Sequence, residues 1–146
     1  MFEQIMVATD GSENANAAVS YAAELAKKVG ARNVLLIHIC PGCTADIDVD
    51  DTNREAAEAI VREAAGAFAS SGAKILTQVV IDYPPEAIGT AIVDVAAKEA
   101  ADLLVVGSRG LSEFRGMLLG SVSNRIVQKA ACPVLVIKQA RDQKQP

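Results

Sequence analysis

The chain has few of the residues that announce a chemistry. Tryptophan is absent, and two Tyr with three Phe bring the aromatic content to 3%. Tyr21, Tyr83, Phe68 and Phe114 do not make a stacking platform, which removes one common way of holding single-stranded nucleic acid. Positive charge is also short: 14 Lys+Arg face 18 Asp+Glu, for a net charge of −4. The basic footprint of a nucleic-acid binder is therefore missing. Three Cys form an odd and sparse set, unlike a secreted disulfide framework. No apolar run approaches the ~18–20 residues that span a bilayer, so no membrane partner is expected. Met1-Phe2-Glu3-Gln4 has no basic stretch leading into an apolar one, so no signal peptide is expected. What remains is a soluble, cytoplasmic domain. Its 146 residues, 51% of them apolar, suffice to bury roughly two-thirds of the unfolded surface in one core.

Hydrophobic periodicity alternates along the chain. Ile5-Met6-Val7-Ala8 is a short unbroken apolar run ending at Thr9-Asp10-Gly11-Ser12. Ala15, Ala18, Val19, Ala22, Leu25, Ala26 and Val29 then recur at spacings of three and four, one face of a helix. Ser12 or Asp10 is its expected N-cap, and Gly30 its stop. The cycle repeats through a strand at 34–39 and a helix at 53–71 with Ala56, Ile60, Ala64 and Phe68 inward. A strand at 75–81 follows. Pro84-Pro85 then opens a helix carrying Ile88, Ala91, Ile92, Val95 and Ala96. A strand at 103–106, a helix at 121–131 and a strand at 134–137 complete the pattern. Continuous rather than alternating apolar strands predict a mostly parallel sheet covered on both faces. The fold class is α/β: a single-domain three-layer α/β/α sandwich over residues 1–138, with 139–146 as a fraying tail. Right-handed crossovers favour strands 1 and 4 as neighbours, and such sheets bind ligands in the crevice at their carboxyl ends.

Chemistry concentrates after the fourth strand. Gly107-Ser108-Arg109-Gly110 is followed, nine residues on, by Gly120-Ser121-Val122-Ser123. Two glycines three apart allow a tight turn with exposed backbone N–H groups. Gly120-Ser121 opens a helix whose first N–H groups lack intrahelical partners and carry the positive end of the helix dipole. Ser121 and Ser123 add hydroxyls, completing a phosphate cradle of neutral groups. Spacing alone fits ordinary loop and cap geometry equally well. A G-x-x-x-x-G-K-[ST] P-loop is absent, and Asp10-Gly11-Ser12 stands where a dinucleotide fingerprint would require G-x-G-x-x-G.

Over essentially its whole length the sequence resembles the universal stress protein (UspA-like) family. The resemblance rests on the opening strand ending in Asp10-Gly11-Ser12, on Leu36-Ile37-His38-Ile39, and on Cys132-Pro133-Val134-Leu135-Val136-Ile137. Gly107 to Ser121 fits that family's nucleotide motif, G-x2-G-x9-G-[ST], at every defined position, which implies the ATP-binding subgroup. The resemblance implies a five-stranded parallel sheet in the order 3-2-1-4-5 and homodimers formed through the last strand, 133–138. It implies that Ala8, Thr9 and Asp10 line the adenosine end, with Asp10 near the ribose or a phosphate-bound Mg²⁺. It places Ile39 against adenine, Val106 and Gly107 at the ribose, and Gly110, Gly120, Ser121, Val122 and Ser123 at the phosphates.

Several residues carry two readings. Asp10 suits both helix capping and ligand contact. His38, the sole His, reads as a packed, hydrogen-bonded core residue. Arg109 and Arg115 either reach terminal phosphates or remain solvated. Cys40-Pro41-Gly42-Cys43 is a C-x-x-C followed by an acidic stretch. It reads as loop, with redox or zinc use as the minor alternative, so replacing both cysteines is expected to leave nucleotide affinity and melting temperature nearly unaltered. Cys132 reads as packing. The function expected is an ATP- and Mg²⁺-binding regulatory switch, homodimeric, whose occupancy orders the 107–120 loop for an unidentified protein partner. The alternatives are a slow ATPase or self-phosphorylating protein, a binder of AMP or a cyclic nucleotide in the same crevice, and a redox or metal module on Cys40 and Cys43.

Overall fold

Strand β1 (Gln4–Ala8) forms the centre of the sheet because Ile5, Met6 and Val7 have no solvent-facing side. In the computed structural model, which describes residues 2–41, 43, 45, 51–108 and 119–138, Ile5 sits between Val34 and Leu103. Those partners belong to β2 (Asn33–Ile39) and β4 (Leu103–Gly107). β3 (Lys74–Val80) and β5 (Val134–Ile137) flank them, giving a five-stranded parallel sheet in the order β3-β2-β1-β4-β5.

Alternation along each strand sends side chains to two cores. Ile5, Val7, Val34, Leu36 and Val105 pack with Ala18, Val19, Ala22 and Ala26 of α1 (Glu13–Val29) and with Ala64 of α2 (Asp51–Ala65). Met6, Leu35, Ile37, Ile39, Leu104 and Val106 pack with Ala91, Ile92 and Val95 of α3 (Ile88–Lys98) and Ile126 of α4 (Ser121–Lys129). Two helices on each face complete the three layers. Among the described residues no helix is long and apolar enough to cross a membrane.

Helix ends follow local chemistry. Ser12 Oγ accepts the Ala15 N–H at 3.2 Å, and Gly30, at φ +65°, closes α1 by donating to Ala26 O. Pro85 occupies the first position of a 3-10 turn, Pro85–Ala87, that leads into α3.

The second helix departs from expectation. α2 ends at Ala65, and a separate 3-10 turn, Gly66–Phe68, carries Phe68 into the core. Its inward residues are Ala57, Val61 and Ala64, whereas Ala56 is exposed. A strict spacing of four drifts by about 40° per step on a 3.6-residue helix, so Ala56 and Phe68 cannot share one face. The helix at 121–131 is likewise shorter, ending at Lys129 with Ala130 already extended. Residues 139–146 lie outside the described set.

Cys40 and Cys43 also depart from expectation, being buried and joined by a disulfide. The Cys40 N–H donates to Val80 O at 2.8 Å, and Cys43 O accepts the Asp82 N–H at 3.0 Å. The pair packs on Ala57 with Val79 and Ile81, a small third core at the carboxyl end of β2 and β3. These are core residues rather than loose loop.

Candidate functional site

The chain leaves β1 toward one face of the sheet and β4 toward the other, opening a crevice between their carboxyl ends. After β1 the turn is held by its own side chains. Thr9 N–H continues the ladder to Ile37 O at 3.0 Å, and Thr9 Oγ1 accepts the Gly11 N–H at 3.2 Å. Asp10 Oδ1 accepts the Ser12 N–H at 2.9 Å. Asp10 therefore shapes the turn while Ser12 caps the helix, which resolves the two candidate caps.

After β4, Gly107 comes close to the start of α1. A Cβ on it would stand 2.9 Å from Asn14 O and 3.0 Å from the Asn14 carbonyl carbon. Only glycine fits that gap without displacing backbone. Gly107→Ala is expected to lower the unfolding free energy by about 1–3 kcal/mol through overpacking, read from the urea midpoint at unchanged slope. An unshifted midpoint would show that the Asn14 peptide yields freely.

The chain returns with Gly120 N–H donating to Ser108 O at 2.7 Å, then enters α4. Gly120 is the N-cap, with φ −67° and ψ 166° and no side-chain cap. The α1 cap, Ser12, has nearly the same backbone at φ −69° and ψ 165°. The two helix starts differ in their caps: Ser12 Oγ takes the Ala15 N–H of α1, whereas no side chain caps the first-turn N–H groups of α4. Ser123 Oγ donates to Gly107 O at 2.6 Å, so its hydroxyl proton is already engaged. The expected hydroxyl donor is thus turned to Gly107 O, which leaves the backbone N–H of Ser123 at the start of α4.

Between these elements lies a cavity of about 410 Å³, within the range typical of small-molecule sites. Ala8, Thr9, Asp10, Ile39, Val106, Gly107, Ser121, Val122 and Ser123 line it together. Gly120 adjoins them as the α4 cap. Arg109, Gly110, Glu113 and Arg115 lie outside the described residues. The wall also includes Ile37, His38, Pro41, Ile88, Ile92 and Ile126, which sequence reasoning did not assign to a site. Ile37 follows from Ile39 by strand alternation, and Ile88 with Ile92 by helical spacing. Ile126 likewise follows from Val122, four residues before it on α4.

His38 is half-buried, and its Nδ1 lies 2.8 Å from Thr9 O. A carbonyl can only accept, so Nδ1 carries the proton and the ring braces the turn. The packed-histidine reading holds, and the same ring faces the cavity. The wall thus combines apolar Ile and Val side chains with a helix start that carries neutral donors. Asp10 is the only carboxylate in its wall among the described residues, and no group of three or more His, Cys, Asp or Glu there could cage a metal.

Comparison with known proteins places the chain. A universal stress protein of Thermus aquaticus is 32% identical over 94% of this chain and 100% of its own. A solved structure of a Methanocaldococcus jannaschii universal stress protein superposes with a TM-score of 0.79 at 26% identity, covering 97% of this chain and 99% of that one. A universal stress protein solved in complex with cAMP matches at 0.73 and 29%, covering 94% and 97%. One from Archaeoglobus fulgidus in complex with dAMP matches at 0.71 and 25%, covering 94% and 98%. The model of the Universal stress protein family matches residues 1–138, and the chain belongs to that family.

Proposed function

We propose that the chain is an ATP-binding regulatory protein of the universal stress protein type, acting in the cytoplasm as a homodimer joined through residues 133–138, the segment that contains β5. The observation that carries the reading is the uncapped start of α4 in the wall of an apolar cavity. A purine fits against Ile39 and its neighbours, ribose against Val106 and Gly107, and phosphates against the N–H groups of Gly120, Ser121, Val122 and Ser123. Arg109 and Gly110, within the same motif, complete the phosphate end. Relatives that hold cAMP and dAMP support an adenine ligand.

Mg²⁺ enters with the phosphates. A single carboxylate does not hold Mg²⁺ alone, but one carboxylate plus nucleotide oxygens is a common Mg²⁺ environment. Asp10 supplies that carboxylate, and the ion offsets its repulsion of the phosphates. The protein's own residues orient the nucleotide, and occupancy changes the surface offered to a regulatory protein partner. Such a switch requires the partner to bind the two states with different affinity.

The second reading, AMP or a cyclic nucleotide in the same cavity, draws on those same relatives. Identification by mass of the nucleotide released from the denatured, purified protein separates them. Stoichiometric ATP is expected. Stoichiometric AMP or cyclic nucleotide would install the second reading, and an empty protein with no affinity in titration would remove both.

A further inference from the structure

Cys40 and Cys43 are the first and last residues of a tight turn at the carboxyl end of β2. The Cys43 N–H donates to Cys40 O at 3.2 Å, with Cα atoms 5.4 Å apart, inside the range a disulfide spans. Pro41 takes the second position of that turn, where its fixed φ is favoured. Among the described residues of this turn Pro41 is also the one in the cavity wall, two positions beyond Ile39. The disulfide therefore fastens a piece of the ligand site to the small core formed with Ala57, Val79 and Ile81.

Other uses of the pair fit less well. Each sulfur is bonded to the other, and among the described residues no group of three or more His, Cys, Asp or Glu could hold a metal, which leaves no zinc set. Cys40 Sγ lies 4.0 Å from Asn53 O in the first turn of α2, but that helix begins only at Asp51 rather than at the cysteine pair, as it does in oxidoreductase sites. Cys132 is no competitor for exchange, because burial pushes its thiol up from the ordinary value.

We propose that Cys40–Cys43 is a reversible thiol–disulfide site that sets nucleotide affinity through Pro41, the disulfide form binding more tightly; this rests on the nucleotide reading above. In oxidation the two thiols form the Sγ–Sγ bond. They pass two electrons and two protons to a small-molecule disulfide, which leaves as two thiols. A dithiol reverses the exchange. Coupling between two sites is reciprocal, so bound nucleotide protects the disulfide by the same factor that the disulfide strengthens binding.

The test titrates Mg²⁺-ATP into the full chain with the disulfide formed, then reduced, each state verified by mass after alkylation. The oxidised protein is expected to bind about tenfold more tightly, within the usual range of such couplings. Cys40→Ser with Cys43→Ser should match the reduced protein in either buffer. In redox buffers, saturating ATP should lower the midpoint potential of the pair by about 30 mV, the same tenfold expressed for two electrons. Equal affinity in the two verified states overturns this proposal alone. Cysteines that stay reduced throughout a glutathione series overturn it too. No binding in either state overturns the nucleotide reading and the coupling together.

Discussion

Gly120→Asp is expected to weaken ATP binding by about 100-fold or more while leaving the chain folded. The N-caps of α1 and α4 share one extended backbone geometry, so an aspartate at 120 meets no strain from φ or ψ. Its carboxylate would accept the Ser123 N–H, as Ser12 Oγ accepts the Ala15 N–H in α1. In the proposed site that consumes a donor assigned to phosphate and places a negative charge where the phosphates would lie. Unit charges 4 Å apart repel by about 4 kcal/mol at an effective dielectric of 20, and 100-fold corresponds to about 2.7 kcal/mol. The helix itself gains only a few tenths of a kcal/mol, because glycine is already a tolerated cap. Calorimetric titration reads the loss, and thermal melting verifies the fold. Gly120→Val, which adds bulk without a cap, should also abolish binding. Full affinity in a folded Gly120→Asp protein would remove the α4 start from the site.

Hydrolysis of ATP by the purified protein is expected at or below roughly one turnover per minute, against a median near 10 s⁻¹ for enzymes. Backbone N–H groups and serine hydroxyls bind ground-state and transition-state phosphates about equally. Such uniform binding lowers a dissociation constant without lowering the chemical barrier. Among the described residues the cavity wall holds no Lys or Arg, and its one carboxylate, Asp10, is tied to the turn through Ser12. The groups that accelerate phosphoryl transfer, a cationic finger and a residue orienting water, are not among them. Phosphate release with Mg²⁺-ATP measures the rate, and Gly120→Asp exposes contaminating ATPases. Several turnovers per second that vanish in that variant would establish an enzyme, with Asp10, Arg109 and Arg115 the first residues to examine.

Much of the cavity wall was legible because its signals are local in the chain. Thr9-Asp10 ends one buried strand, Val106-Gly107 ends another, and Gly120-Ser121 opens a helix, each recognisable within a few residues. Their convergence follows from handedness: right-handed crossovers around a central β1 leave β1 and β4 adjacent, so their carboxyl ends meet. The disulfide was misread because a C-x-x-C beside an acidic stretch has no local feature that distinguishes a loop from a packed turn. What settles it is the contact with Ala57, Val79 and Ile81, which come from two other elements.

By itself, then, the sequence determined which segments are strands and helices, where α1 stops, and the class of sheet. Backbone hydrogen bonding and side-chain period are properties of consecutive residues, and they survive without knowledge of neighbours. Only the tertiary structure decided that Ala57 rather than Ala56 faces inward, that Gly107 is glycine because Asn14 lies against it, and that the Ser123 hydroxyl is already occupied. Only it brought Pro41 into the cavity wall. Those outcomes depend on distances between elements far apart in the chain, set by how two helical layers pack on a twisted sheet, and no local pattern encodes them.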